Sequence, residues 1–144
     1  MVLARVAEAL RPGGVIVLHE YFDYSTWRAA PCCPELEMFV RAVKQSWGDA
    51  GGEPDIALAI PRWLADLGFE PRRSADRYCC SAGRREVAWL RAFVPVNRRR
   101  LVGLGYLTEG AAEEVWAAFC ALEAAGSVHM VIPGVLELIA DRRP

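Results

Sequence analysis

His19, Glu20 and Tyr21 stand in a row directly after the apolar run VIVL at positions 15–18. Histidine and glutamate can take a proton from a hydroxyl or an amine, which is general-base chemistry. If 15–18 is a strand, they sit just beyond its C-terminal end, where open α/β sheets bind ligands. His19 and Glu20 are therefore the candidate catalytic residues, either one able to act as the general base. Aromatic residues follow at once: Phe22, Tyr24 and Trp27. Together with Tyr21, the side chains of Tyr24 and Trp27 make a candidate wall for an aromatic or cationic substrate. Each of these residues also has a plainer reading. Glu20 can pair with a nearby arginine, His19 can be hydrogen-bonded within a sheet, and the aromatic rings can pack the next helix onto that sheet.

Other reactive residue types carry less. The five cysteines are Cys32, Cys33, Cys79, Cys80 and Cys120. The C-x-x-C spacing of zinc sites is absent, and free thiols packed as small hydrophobes are the simpler expectation beside a four-cysteine site built from the two adjacent pairs. No metal is expected. Arg98-Arg99-Arg100 has no interleaved aromatic residues and reads as a solvated helix face. His129 has no partner at metal-ligand spacing and reads as structural.

These residues need elements to hold them. Residues 2–10 place Val2, Leu3, Val6, Ala9 and Leu10 on one helical face. Pro12 and Gly13-Gly14 end that helix. The run 15–18 does not alternate, so a strand buried on both faces of a parallel sheet is expected. Residues 35–47 are helical by spacing, 48–54 form a loop, and 55–67 form a helix restarted at Pro61. Residues 69–81 read as a polar strand. Residues 84–94 read as a helix, with a helical continuation over 97–104. Thr108 is placed to cap a helix that ends near Gly126. Residues 135–142 alternate as a half-buried or edge strand does. The fold class expected is α/β, with three strands at most and helical insertions. A run as apolar as 15–18 at an open sheet edge would invite another chain to pair with it.

The totals fit a globular domain. The chain has 144 residues, 53% of them hydrophobic, with a formal net charge of -1. That charge offers no electrostatic case for nucleic acid. No apolar run approaches the roughly 20 residues of a membrane helix, and the N-terminus has no secretory pattern. A cytoplasmic location is expected.

The order of these segments resembles the second half of class I S-adenosylmethionine-dependent methyltransferases. The carrying motifs are LRPGG followed by a V/I/L strand ending in an acid, IPRWLADLGFEPRRS, REVAWLRAFV with LVGLGYLTEGAAEEVW, and PGVLELIADRRP. The resemblance implies a partial Rossmann-like sheet whose last strand inserts antiparallel between the two before it. Residues 1–144 would be one partial domain with a helical insert at about 84–126. It implies methyl transfer to O or N of a small molecule, by in-line displacement at the sulfonium methyl, with S-adenosylmethionine as cofactor. The family builds its cofactor site from a Gly-rich turn in the first half of the fold, and no G-x-G-x-G occurs here. The chain is therefore expected to begin after the fourth strand and to lack the cofactor pocket. Three readings stay open. It is a fragment of a full enzyme, or it pairs with a chain supplying the first half (or with itself), or it is a non-catalytic module binding a small ligand or a protein.

Overall fold

The first turn shows how sequence dictates position. Helix α1 (Val2–Ala9) stops before Pro12, and Gly13 takes φ 75°, a left-handed conformation that glycine adopts freely. A Cβ on Gly14 would lie 2.8 Å from the Arg11 carbonyl oxygen, so only glycine fits there. Strand β1 (Val15–Phe22) leaves this turn. The computed structural model describes residues 2–77, 80–82, 84–126 and 129–144, with side chains left aside over 77–88.

The chain divides into two compact units, one of residues 1–23, 55–78 and 133–144, the other of residues 24–54 and 79–132. In the first unit, β1 pairs along its whole length with the last strand, from Val15↔Asp141 to Phe22↔Gly134. Strand β3 (Phe69–Arg77) pairs with the other edge of that last strand, β6 (Gly134–Arg142), with an irregularity between Pro71 and Arg73. Pro71 has no N–H to give the ladder. Both pairings are antiparallel, so the order is β1-β6-β3 and the two outer strands run parallel to each other. The insertion of the last strand between its two predecessors, implied by the resemblance, is the arrangement found.

A helical stretch precedes β3: a 3-10 turn (Ile56–Leu58), then helix α3 (Ile60–Asp66), with Pro61 in its first turn where no N–H is needed. Ala7 from α1, Ile60 and Leu64 from α3, and Ile16, Phe69, Leu138 and Ala140 from the sheet form one buried cluster.

Two expectations are corrected here. The run 15–18 is neither in a sheet of parallel pairs nor buried on both faces: its pairing with β6 is antiparallel. Ile16 is buried, whereas Val15 is 41% and Val17 67% exposed. An all-apolar run carries no polar residue to mark its open face, so periodicity could not reveal it. The strand count is also higher than three. A second sheet, order β2-β5-β4, joins β2 (Arg28–Ala30), β5 (His129–Val131) and β4 (Cys80–Ala82). Three residues are too few to show a period of two. Residues 134–142 are half-buried as expected, yet they form the middle strand of their sheet, not an edge. Their alternation arises because only one face is covered.

The second unit is mainly helical. Helix α2 (Pro34–Asp49) contributes Phe39 and Val43, α4 (Arg84–Gly103) contributes Leu90, Val94 and Leu101, and α5 (Glu109–Ala125) contributes Val115 and Phe119. Helix α4 passes through Pro95 and joins the two helical segments read from the sequence. Thr108 caps α5, its Oγ1 accepting from the Ala111 N–H at 3.1 Å, and Gly126 ends it at φ 64°. The triple arginine is not a uniformly solvated face. Arg98 lies 5.6 Å from the Trp116 ring centroid and donates to Glu113 at 2.6 Å, and Arg100 donates to the Ser46 hydroxyl at 2.9 Å. Arg98 and Arg100 tie α4 to α5 and α2, which a one-dimensional charge run cannot disclose.

Candidate functional site

The five candidate residues fall in both units, and each group is described within its own. In the first unit, alternation along β1 separates His19 and Tyr21 from Glu20. His19 stands opposite Glu137 across the strand pair, its Nε2 3.9 Å from Glu137 Oε1, and its side chain is 66% exposed. That places it on the open face with Val15, Val17 and Tyr21. Glu20 points to the other face, where its Oε1 accepts the Tyr21 backbone N–H at 3.0 Å. The two groups lie on opposite faces of the strand. Just after β1, Asp23 adopts φ 54°, and its N–H donates to Asp55 Oδ1 at 2.7 Å. Aspartate tolerates this left-handed conformation better than most residues. The reading from sequence did not single out this aspartate pair, because a 32-residue separation leaves no local signal.

In the second unit, a single 3-10 turn (Tyr24–Thr26) sets the aromatic pair. The Trp27 N–H donates to the Tyr24 carbonyl at 3.3 Å, and the Thr26 hydroxyl donates to the Ile132 carbonyl at 3.4 Å. Trp27 is buried, with ring centroids 5.3 Å from Trp89, 5.7 Å from Phe93 and 6.4 Å from Phe39. Tyr24 is half-buried and meets Trp47 edge-on at 5.3 Å and Trp27 at 6.4 Å. The plain packing role is therefore real. Tyr24 and Trp27 also line an open groove of about 230 Å³.

The opposite wall of that groove is helix α2. Glu37, Val40, Arg41 and Lys44 follow each other at steps of three, one and three residues, which places them on one helical face, and Ser25 and Arg28 complete the lining. Three cations thus face one carboxylate. Glu37 is already engaged, accepting from the Cys32 thiol at 3.2 Å, and that bond raises the Cys32 pKa above its ordinary value. Burial does the same to Cys33, whose thiol points to Glu35 at 3.4 Å. Arg28, Arg41 and Lys44 were not singled out from the sequence. Nothing in their spacing shows that a turn ten or more residues upstream folds back onto α2.

Among the described residues, no group of three or more His, Cys, Asp and Glu is gathered to hold a metal. The four-cysteine alternative lies outside the described residues, which exclude Cys79 and the Cys80 side chain. Among the described residues, no glycine lies in a turn leading from the end of a strand into a helix N-terminus. Among the described residues, no helix is long and apolar enough to cross a membrane. No protein-family model matches the chain, and no curated protein matches it.

Proposed function

We propose that this chain is the acceptor-side portion of a class I methyltransferase, which holds a small molecule for methylation at O or N. One observation carries the reading. The middle strand, β6, runs against two neighbours that are parallel to each other, with α1 and α3 in one cluster on a single face. This strand order agrees with the one that the resemblance implies for the end of the sheet. Strand β1 shows no second partner strand among the described residues, and its open face carries Val15, Val17 and Tyr21. Further strands, from another chain or another segment, pair along this edge and bring the cofactor site with them.

On this reading, His19 belongs to the open face that such strands and their helices cover. Glu20 holds the backbone at the strand end and does not act as a base. The groove beside Tyr24 and Trp27 receives the acceptor. A non-catalytic module that binds a small ligand is the second reading, favoured by one fact: every residue lining the groove lies within the second unit.

Titration calorimetry with S-adenosylmethionine tests the proposal. The isolated chain is expected to give no saturable heat. Saturable one-site binding by this chain would overturn the incomplete-pocket account. The nucleotide sequence upstream of the Met1 codon is expected to encode a glycine-rich strand–turn–helix, in this frame or an adjacent one. If neither frame encodes it, the two-part methyltransferase reading loses its second part.

A further inference from the structure

The groove of the second unit has a chemistry of its own. One wall is aromatic, lined by the half-buried Tyr24 and the buried Trp27. The other is the α2 face bearing Arg41 and Lys44, with Arg28 entering from β2. Among the described residues, no carboxylate lies within 4.0 Å of the cationic nitrogens of Arg28, Arg41 or Lys44. Arg72, Arg91, Arg98 and Arg143, by contrast, each have an acidic partner. The one acid in the lining, Glu37, accepts the Cys32 thiol. Three cations are left beside an aromatic face with no acid paired to them.

We propose that this groove binds an aromatic carboxylate, its ring against Tyr24 and Trp27 and its carboxylate among Arg28, Arg41 and Lys44. Guanidinium forks match a planar carboxylate in two parallel hydrogen bonds, and a lysine adds a third donor. A volume of about 230 Å³ is below the roughly 300 Å³ at which drug-sized pockets begin, so it suits one or two rings. A carboxylate is preferred to a phosphate because Glu37 in the lining repels a dianion more than a monoanion. As the identity of the methyl acceptor, this rests on the methyltransferase reading; as a binding site, it rests on the side chains.

Binding to the full chain without any methyl donor separates the two. The probes are 4-hydroxybenzoate, its neutral counterpart 4-hydroxybenzamide, and phenyl phosphate, each titrated by calorimetry and by ligand-observed NMR. Saturable one-site binding of 4-hydroxybenzoate is expected, at least about 10-fold tighter than the amide, because the amide forfeits charge-assisted bonds. Arg41→Gln with Lys44→Gln is expected to weaken 4-hydroxybenzoate about 10-fold or more and to leave the amide unchanged. Both side chains extend from the helix surface into the groove, and far-UV circular dichroism checks that the fold is kept. Arg28→Gln, on a different element, is expected to repeat the effect. Equal affinity for acid and amide, an unchanged affinity in these variants, or no saturable binding of 4-hydroxybenzoate at millimolar concentration would overturn the proposal. Tighter binding of phenyl phosphate would overturn the choice of carboxylate. Failure of the calorimetry with S-adenosylmethionine would leave all these outcomes untouched.

Discussion

Truncating one side chain on each face of the first sheet tests which face is covered. Leu138 lies in the middle strand, is 1% exposed, and stands between Leu18 of β1 and Ser74 of β3. Leu138→Ala removes buried methyl groups and leaves a cavity that two flanking strands cannot easily close. The expected cost is about 2–5 kcal/mol. Val17 is 67% exposed on the opposite face. Fully burying a valine is worth roughly 1.5–3 kcal/mol, and only about a third of that is realised here, so Val17→Ala is expected to cost less than about 1 kcal/mol. Urea unfolding reads the difference, followed by the fluorescence of Trp63 in the four tryptophan-to-phenylalanine background at positions 27, 47, 89 and 116. With a slope of about 1–3 kcal/mol/M, Leu138→Ala shifts the midpoint down by about 1 M or more, and Val17→Ala by a few tenths. A Val17→Ala cost equal to that of Leu138→Ala would refute the reasoning, because that face would then have to be covered in the isolated chain.

Three further outcomes are expected. Thr108→Ala removes the cap on the Ala111 N–H and should cost about 1 kcal/mol in thermal unfolding, largely recovered by Thr108→Asn; no change would deny the cap its role. Arg98→Lys keeps the charge but loses the Nη1 hydrogen bonds to Glu113 and the Ala112 carbonyl and the guanidinium over the Trp116 ring. It should cost about 1–2 kcal/mol, more than Glu113→Gln, since Glu113 is 67% exposed; the reverse order in urea titrations would contradict the contacts described. The Cys32 thiol donates to Glu37, which favours the neutral thiol and raises its pKa above the ordinary thiol value. Glu37→Gln lowers that pKa, increases the thiolate fraction at pH 8.5, and should speed iodoacetamide labelling of Cys32, measured by peptide mass spectrometry; an unchanged rate would dismiss the hydrogen bond.

The local elements were legible in the sequence where a residue type acts by itself. Pro12 and the glycines after it stop α1, Thr108 starts α5 and Gly126 ends it, because backbone conformation and capping depend on a few neighbouring residues. The spacing over 35–47 gave a helix for the same reason. Even the order of the first sheet could be stated, through the resemblance, from the segments that bracket it.

Tertiary structure alone decided which faces are covered and which distant side chains meet. Val15 and Val17 are as apolar as Ile16, so only the docking of α1 and α3 onto one side of the sheet shows which of them is buried. His19 and Glu20 are adjacent in sequence yet point to opposite faces, because a strand alternates. Arg28, Arg41 and Lys44 become one cationic wall only when the turn at 24–26 and strand β2 return against α2. Helical and strand periods act over a few residues, whereas a binding groove is made by chain closure, which no local pattern encodes.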